Sequence, residues 1–307
     1  MKPTARACGI CMNKQNAIGF PYPENHSNAS RRCPSCKSKL RNPKSQMTSQ
    51  TLLITGATGI AAETARRAAG RGWRVFVGSL EEDDCRALAS EVSKLGGTCE
   101  TLALDLTGEG NGDRLAAACI DVYGRIDALF NVAGISGRRF GDGPLHECTD
   151  EGWASTMNTN VTGMFRVTRA VLRRFLEQEP AGDGGRGAIV NMASVLAFSP
   201  SPEHFATHAY AASKGAIVSL TRSAAAYYTP YKIRINAIAP GLVRTLTSQR
   251  AGENSEIRDV LRRKQPLSAD LMHPAEVADA ALFLLGKEAR GITGQMLTVD
   301  DGWSVSG

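Results

Sequence analysis

The feature that most constrains the fold is a regular alternation of short apolar runs with longer helical patterns, which begins near Gln50. Most of these runs are apolar at every position, as is typical of strands buried on both faces. The alternation predicts an α/β fold with one Rossmann-type, doubly wound parallel sheet of about seven strands and helices on both faces. The predicted strands are 51–55, 74–78, 101–106, 128–132, 188–193, 233–239 and 296–299. The predicted helices are approximately 60–71, 81–95, 113–123, 150–178, 209–229 and 275–286.

A glycine turn links the first predicted strand to the first predicted helix. The strand runs directly into Gly56-Ala-Thr58-Gly59-Ile60, followed by two alanines. Gly56 permits a sharp turn, and Gly59 permits the backbone to approach a pyrophosphate at the positive N-terminus of the helix. We therefore predict a dinucleotide-binding loop, with an ordinary strand-to-helix turn as the alternative.

The second predicted strand ends at the position that usually selects the cofactor ribose. That position is Ser79, and Glu81 and Glu82 follow closely. A carboxylate there would accept a hydrogen bond from a 2′-hydroxyl, and an arginine would pair with a 2′-phosphate. Because Ser79 does neither, the choice between NAD and NADP stays open.

A tyrosine and a lysine lie one helical turn apart in the predicted helix 209–229. Tyr210 and Lys214 are four residues apart and therefore share one helix face. A free phenol has a pKa of about 10, and a neighbouring ammonium group would lower it. The pair therefore predicts a tyrosine that acts as a general acid or base, with an ordinary pair on a helix surface as the alternative.

Other polar residues lie where strands of the predicted sheet end. Ser194 follows the fifth strand, and Asn131 lies near the end of the fourth. Ligands of open α/β sheets bind at the carboxyl ends of the strands. Asn160 lies within the long predicted helix, among apolar residues. It is a candidate for the same site, with a hydrogen-bonded core amide as the alternative.

The segment from about Met47 to Gly307 resembles the short-chain dehydrogenase/reductase family through seven motifs in the family's order. The glycine turn resembles the family's TGxxxGxG loop, although it is one residue shorter. The other six are Asn131-Val-Ala133-Gly134, Asn160-Val-Thr-Gly163, Ser194, Tyr210-x-x-x-Lys214, Asn236-Ala-Ile-Ala-Pro240-Gly241 and the segment 293–302. The resemblance implies an NAD(P)-dependent enzyme that interconverts a secondary alcohol and a ketone.

The resemblance also implies roles for single residues. Ser194 would hydrogen-bond to the substrate oxygen, and Tyr210 would transfer the proton. Lys214 would bind the nicotinamide ribose and lower the pKa of Tyr210. Asn160 would hold a water molecule that links Lys214 to solvent. The expected cofactor contacts are Gly56, Thr58, Gly59, Ile60, Ser79, Asp105, Leu106, Asn131, Ala133, Gly134, Tyr210, Lys214, Pro240, Gly241, Val243 and Thr245.

The interval between Ser194 and Tyr210 is longer than the family pattern. It contains fifteen residues, whereas about a dozen are usual in the family. We expect the additional residues to overhang the active site. His204 and His208 lie in this interval and are candidate substrate contacts, although loop histidines without a direct role are more common.

The first 46 residues differ from the rest in charge and cysteine content. They hold nine Lys or Arg and one acidic residue, whereas the remaining chain holds 27 basic and 29 acidic residues. Two CxxC pairs could supply the four thiolates of a tetrahedral zinc site, although the 21 residues between them slightly exceed the usual 15–20. The candidate ligands are Cys8, Cys11, Cys33 and Cys36. We predict a Cys-rich extension over 1–46, either a small zinc module or a solvated basic tail, and a dehydrogenase domain over 47–307.

The charge of the extension also raises an alternative function. A basic zinc module could bind nucleic acid, with the dehydrogenase fold serving as a nucleotide sensor in a regulatory protein. No aromatic residues are interleaved with the basic ones in the pattern expected for nucleic-acid binding, and a sensor need not keep Asn160, Ser194, Tyr210 and Lys214 together. These observations favour an enzyme that acts on a small alcohol or carbonyl compound.

Two further expectations concern location and assembly. No apolar run approaches the roughly 18 residues needed to span a bilayer, and Met1–Ile10 lacks the apolar stretch of a secretory signal. We therefore expect a cytoplasmic protein without a membrane partner. The family resemblance implies a homodimer or homotetramer that assembles through the helices 150–178 and 209–229. Both helices carry apolar residues beyond one core-facing stripe, namely Met164, Phe165, Val171, Leu172, Ile217, Val218 and Leu220.

Overall fold

Seven parallel strands form a single sheet in the computed structural model, which describes residues 49–306. The strands are β1 (Thr51–Thr55), β2 (Arg74–Ser79), β3 (Thr98–Ala103), β4 (Ala128–Asn131), β5 (Gly187–Met192), β6 (Ile233–Pro240) and β7 (Met296–Val299). Their order across the sheet is β3-β2-β1-β4-β5-β6-β7. The order reverses between β1 and β4, which is where ligands bind in open α/β sheets. The predicted sheet is confirmed.

Helices cover both faces of the sheet. They are α1 (Gly59–Gly70), α2 (Glu82–Lys94), α3 (Asn111–Tyr123), α4 (Asp150–Met157), α5 (Met164–Glu177), α6 (Pro202–Phe205), α7 (His208–Tyr228), α8 (Gln249–Glu253), α9 (Ser255–Lys264) and α10 (Pro274–Leu285). Apolar residues of α1, α2 and α10 pack together on one face, and those of α3, α5 and α7 pack on the other. A π-helical segment, Asn158–Gly163, joins α4 to α5 within the predicted helix 150–178.

The core follows from the alternation of side chains along each strand. In β1, Leu52 and Ile54 pack into one apolar cluster, whereas Leu53 packs into the cluster on the opposite face. All five residues of β1 are buried. Each fully buried leucine or isoleucine contributes about 1.5–3 kcal/mol relative to an exposed one, so the central strands anchor the sheet.

The third strand differs from the prediction. It was predicted at 101–106, but β3 covers Thr98–Ala103 and pairs on one side only, with β2. Its first four residues alternate between exposed and half-buried, because β3 is an edge strand and the sequence there lacks a continuous apolar run. Leu104–Leu106 therefore lie beyond the strand, in the turn that follows it. Helices α8 and α9 were not predicted at all.

Several predictions fall outside the described residues. The four candidate zinc ligands, Cys8, Cys11, Cys33 and Cys36, all precede residue 49. Over residues 49–306, no group of three or more His, Cys, Asp or Glu side chains could hold a metal ion. Within the same range, no helix is both long enough and apolar enough to span a bilayer. Burial raises the pKa of Cys99 and of Cys119 to about 12, as expected for unreactive core thiols.

Candidate active site

A cleft of about 640 Å³ opens at the carboxyl ends of β1, β2, β4, β5 and β6. The cleft lies at the switch point of the strand order, where the topology brings loops from both halves of the sheet together. With the exception of Asn131 and Asn160, every residue that was predicted to bind the cofactor or to take part in catalysis lines this cleft. The topology thus gathers residues that are up to 189 positions apart in the chain, from Gly56 to Thr245.

One end of the cleft is built mainly from backbone. Gly56 adopts a φ of +94°, and its N–H donates to the carbonyl of Gly78 at 2.7 Å. Helix α1 starts at Gly59 with no side-chain cap and no acidic residue in its first turn. A Cβ on Gly59 would lie 3.0 Å from Cγ2 of Thr245 across the cleft. The narrow cradle and the uncapped helix N-terminus fit a pyrophosphate group.

The adjoining part of the cleft contains Ser79 and Asp105. Ser79 ends β2, and its carbonyl accepts a hydrogen bond from the N–H of Leu104 at 2.8 Å. The Asp105 carboxylate accepts from the N–H of Thr107 at 2.8 Å and therefore stabilises its own turn. Among the described cleft-lining residues, the only basic ones are Arg138, Arg139 and Lys214, none of which adjoins Ser79 in the sequence. The choice between NAD and NADP thus remains open.

The other end of the cleft is built from side chains on separate elements. Ser194 follows β5, and Tyr210 and Lys214 lie in the first two turns of α7. Ser194 and Tyr210 share a side-chain hydrogen bond. The Lys214 ammonium donates to the carbonyl of Met192 at 2.8 Å and lies 5.4 Å from the centroid of the Tyr210 ring. A hydroxyl pair and an amine therefore meet in one part of the cleft.

Burial controls the ionisation of this group. Burial raises the pKa of Tyr210 above its usual value of 10.0, and the hydrogen bond with Ser194 opposes it with a smaller effect. Burial also lowers the pKa of Lys214 to about 8. The lowering of the Tyr210 pKa that was expected from Lys214 is not found, so the phenol is protonated at neutral pH and can donate a hydrogen bond or a proton.

Asn160 lies behind the cleft in the π-helical segment. Its side chain is buried, and Oδ1 accepts from the N–H of Ile135 at 2.8 Å. Its Nδ2 donates to the carbonyl of Ile135 and to Oγ of Ser213, both at 3.0 Å. A Cβ on Gly134 would lie 2.9 Å from Asn160 Oδ1 and 3.6 Å from the Lys214 ammonium. Asn160 therefore ties the turn after β4 to helix α7.

Asn131 does not line the cleft, although its backbone neighbours do. Its Nδ2 donates to Thr168 Oγ1 and to Asn191 Oδ1, both at 2.9 Å. Asn191 in turn donates to Thr221 Oγ1 at 3.0 Å. This buried network joins β4 and β5 to helices α5 and α7. The Asn131 side chain therefore supports the site from within the core, in place of a direct contact along the cleft wall.

Sequence analysis did not identify the apolar wall at the substrate end of the cleft. Trp303 is buried there, packs edge-to-face on Phe205 with ring centroids 5.6 Å apart, and donates from Nε1 to the carbonyl of Ser199 at 3.2 Å. The segment between Ser194 and Tyr210 borders the cleft as expected, but through Phe205 and Thr207 and not through a histidine. The other residues of this wall are Val195, Leu196, Leu242 and Ala251.

Comparisons with known proteins cover the same region. The sequence model of the family described as enoyl-(acyl carrier protein) reductase matches residues 55–304. L-rhamnose 1-dehydrogenase (NAD(P)(+)) of Azotobacter vinelandii is 33% identical over 265 residues, which cover 84% of this chain and 97% of the relative.

Two solved structures resemble the fold and carry a cofactor. A variant of actinorhodin polyketide ketoreductase with NADPH has a TM-score of 0.73 at 32% identity and covers 84% of this chain and 98% of that one. The 3-ketoacyl-(acyl-carrier-protein) reductase of Brucella melitensis, complexed with NADH, has a TM-score of 0.73 at 30% identity and covers 83% and 98%. The range matched by the family model runs from the end of β1 through β7 and contains every residue that lines the cleft. The chain therefore belongs to the short-chain dehydrogenase/reductase family and is an NAD(P)-dependent oxidoreductase.

Proposed function

We propose that the protein interconverts a secondary alcohol and a ketone, with Tyr210 as the proton-transfer residue. The observation that carries this proposal is the meeting of Ser194, Tyr210 and Lys214 in the same cleft as the glycine cradle. The cradle suits the pyrophosphate of a dinucleotide, and the three side chains suit the oxygen atom of the substrate. The proposed catalytic side chains, which follow β5 or lie on α7, therefore share one cleft with the glycine cradle.

The nicotinamide group supplies or accepts the hydride when the cofactor is bound. Ser194 donates a hydrogen bond that orients the carbonyl oxygen. In the reducing direction, Tyr210 would donate its proton to this oxygen; in the oxidising direction, Tyr210 would accept the proton of the substrate hydroxyl. Lys214, fixed by the carbonyl of Met192, would bind the nicotinamide ribose, and Asn160 ties the turn after β4 to α7.

The glycine cradle, together with Thr58, Ile60, Ala133 and Gly134, would hold the phosphates and the adjoining ribose. Ser79, Asp105 and Leu106 would contact the adenosine. Pro240, Gly241, Val243 and Thr245 would flank the nicotinamide on the opposite wall of the cleft. We propose these roles because each of the residues lines the cleft and matches a cofactor contact that the family resemblance implies.

The identity of the substrate is best tested with a panel. L-rhamnose and 3-oxoacyl thioesters belong in it because the similar proteins are named for these compounds. We expect the wild type to turn over at least one carbonyl or alcohol compound with NADH, NADPH or their oxidised forms, as measured by absorbance of the reduced nicotinamide. No turnover across the panel, together with tight and salt-dependent binding of DNA or RNA, would instead support the regulatory alternative.

We also propose that the protein forms a homodimer or homotetramer through α5 and α7. Phe165 and Leu176 on α5 are exposed and line a groove between α5 and α7. Tyr227 on α7 is also exposed, and its neighbour Tyr228 lines the groove. Arg169 stacks over Phe165 at 4.9 Å, and its Nε is buried without a hydrogen-bond partner. An exposed apolar surface of this kind is common at protein interfaces.

The composition of this surface corrects the sequence analysis. Four residues that were expected to lie outside the core stripe are in fact buried in the core, namely Met164, Val171, Leu172 and Ile217. Phe165 is the exposed member of the predicted set on α5. Sedimentation velocity at micromolar concentration tests the proposal, and a stable monomer would contradict it.

Finally, we propose that residues 1–46 are a unit separable from the dehydrogenase domain of residues 47–307. All seven strands, the cradle and the proposed catalytic residues lie after Met47. A chain that begins at Met47 is therefore expected to fold and to keep its turnover. Elemental analysis of the full chain and of the shortened chain tests the zinc prediction, because zinc that is retained after removal of the four cysteines cannot be bound by them.

A further inference from the structure

We infer that Asp142 is a positioning residue that holds Tyr210 in place for proton transfer. Asp142 lies in the loop between β4 and α4, and its side chain bonds to the first turn of α7. The inference rests on the proposed function, since it concerns the placement of the proposed proton-transfer residue. Nothing in the sequence pattern around Asp142 indicates this role.

Both oxygen atoms of the Asp142 carboxylate are used. Oδ1 accepts from the N–H of Ala209 at 3.0 Å, and Oδ2 accepts from the N–H of Tyr210 at 2.9 Å. The residue is buried, with only 5% of its surface exposed. Thr207, which directly precedes α7, makes no side-chain capping bond. A carboxylate that is 68 residues away from Tyr210 therefore caps this helix in place of a local residue.

The position of Tyr210 within α7 explains why such a cap matters. The first N–H groups of a helix have no partner within the helix, so the first turn is the part that the helix itself holds least. Helix α7 begins at His208, which places Tyr210 in that turn. Lys214 lies one turn further along and has a second anchor, the carbonyl of Met192. Two hydrogen bonds to consecutive N–H groups fix the turn that carries Tyr210 both along the helix axis and in rotation about it.

The loop that carries Asp142 is itself held tightly. The N–H of Asp142 donates to the carbonyl of Gly137 at 3.2 Å, and the carbonyl of Gly143 accepts from the N–H of His208 at 3.3 Å. Gly137 has a φ of +76°, and a Cβ there would lie 2.9 Å from Cβ of Asp142. A Cβ on Gly152 of α4 would lie only 2.5 Å from the nitrogen of Asp142. The carboxylate is therefore presented from a closely packed support.

The same loop also forms part of the cleft wall. Arg138, Arg139 and Phe140 lie between the two glycines that bound the turn, and all three line the cleft. The loop therefore contacts the substrate end of the cleft with one segment and the backbone of Tyr210 with the next. This places Asp142 between the cleft wall and the proton-transfer residue.

The chemistry of the cap also favours a role beyond stability. Each oxygen of the carboxylate accepts from one backbone N–H group of α7, and the Cys148 thiol also contacts Oδ1, at 3.9 Å. Serine, threonine or asparagine would cap the helix without burial of a charge, but each would usually accept from one N–H group. A carboxylate can accept from two adjacent groups with two oxygens, which is what accurate placement of Tyr210 requires.

The test compares two variants of Asp142 with a matched control. Asp142→Asn keeps one acceptor oxygen, and Asp142→Ala removes both. The control is Asp127→Asn: Asp127 Oδ2 accepts from the N–H of Thr51 at 2.8 Å, but at the amino end of the sheet, away from the cleft. Turnover is measured with L-rhamnose and with acetoacetyl thioester, using whichever the wild type converts faster. The dissociation constant of NADH and the thermal midpoint are measured on the same samples.

We expect kcat to fall about 100-fold in Asp142→Ala and about tenfold in Asp142→Asn, because small displacements of a reacting group have effects of this size. The dissociation constant of NADH should change less than about twofold, since the cradle lies on other elements. Asp127→Asn should lose thermal stability while its kcat stays near that of the wild type.

A folded Asp142→Ala with the kcat of the wild type would overturn the inference. If Asp142→Ala does not fold, Asp142→Asn decides: a wild-type kcat with a lowered midpoint would show that the cap is structural only. Equal losses of kcat and NADH affinity would also overturn the inference, since they would indicate collapse of the whole cleft. Tyr210→Phe separates the two proposals, because undiminished turnover in that variant refutes the proposed function itself.

Discussion

The two ends of the cleft are made in different ways. The cofactor end consists mainly of backbone: a turn from Gly56 to Ile60, which is continuous in sequence, and the start of α1. The catalytic end consists of side chains on β5 and α7 and depends on supports from the loop after β4 and from the π-helical segment. Comparison of the two teaches that a local motif suffices to build the glycine turn, whereas the side chains of the other end meet only in the tertiary structure.

The two ends also differ in how they affect the stability of the fold. The cradle leaves backbone N–H groups unpaired at the helix start, where water can solvate them. The catalytic end buries a lysine and a tyrosine. Burial raises the pKa of Tyr210 and lowers the pKa of Lys214, and both shifts favour the neutral form of the side chain. A functional group in such a setting is held in place by its surroundings at the expense of stability. The variants below test this contrast, from the largest expected effect to the smallest.

Tyr210→Phe removes only the hydroxyl at the catalytic end. Turnover should fall by about 10³-fold, because the ring keeps its packing but no group remains to pass the proton. NADH binding, measured by fluorescence titration, should persist. Near-normal turnover would refute the mechanism, and a parallel loss of NADH binding would mean that the two ends are not independent.

Lys214→Met should stabilise the unliganded protein at neutral pH while it abolishes most of the activity. The pKa of Lys214 is about 8 in the folded protein, compared with 10.5 for a free lysine. The charged form therefore opposes folding. This penalty is fully present below pH 8 and disappears as the pH rises toward 10.5.

The size of the effect follows from that interval. A shift of about 2.5 pH units corresponds to at most about 3 kcal/mol in the free energy of unfolding. Urea unfolding at pH 7 and at pH 10 measures the difference between the variant and the wild type. The variant should be more stable at pH 7, and the gap should narrow at pH 10. A variant that is less stable at both values would show that Lys214 supports the fold.

Gly59→Ala tests the cofactor end. The added Cβ would lie 3.0 Å from Thr245 Cγ2, and the φ of +55° strains any residue other than glycine. We expect the dissociation constant of NADH to rise about tenfold, with a smaller effect on kcat at saturating cofactor. Gly70→Ala is the matched control, because it lies in the same helix and its Cβ would meet no atom within 4 Å. Equal effects of the two substitutions would contradict a specific role of the cradle.

Ser79→Asp should have the smallest effect. The carboxylate would accept a hydrogen bond from a ribose 2′-hydroxyl and repel a 2′-phosphate. We expect the ratio of kcat/KM for NADH over NADPH to rise by about fivefold to tenfold, which corresponds to one net hydrogen bond of about 1 kcal/mol. An unchanged ratio would show that the ribose binds elsewhere along the cleft.

The sequence-based predictions were more accurate for strands buried on both faces than for the partly exposed edge strand β3. Strands with buried neighbours on both sides, such as β1, were predicted within a residue, since burial on both faces requires a continuous apolar run. Strand β3 was placed three residues too late because an edge strand is partly exposed and carries a weaker pattern. Helices α8 and α9 were missed because they lie between β6 and α10, outside the regular alternation of strands and helices.

In the candidate site, features built from adjacent residues were likewise predicted, whereas features that depend on distant partners were missed. The Gly56–Gly59 cradle was recognisable because strand, turn and helix are adjacent in sequence. Asn131 was expected at the cofactor, yet its side chain bonds to Thr168 and Asn191, two partners that no local pattern indicates. Trp303 was missed because its partner, Ser199, is 104 residues away. Asp142 was missed for the same reason.

The sequence by itself determined the α/β class, the number of strands and the glycine turn, because each depends on residues close together in the chain. The tertiary structure decided how the site residues act. Burial set the ionisation of Tyr210 and Lys214, and packing directed Asn131 into the core and Asp142 onto the helix that carries Tyr210. Burial and long-range hydrogen bonds arise only when distant segments meet, so no local pattern contains them.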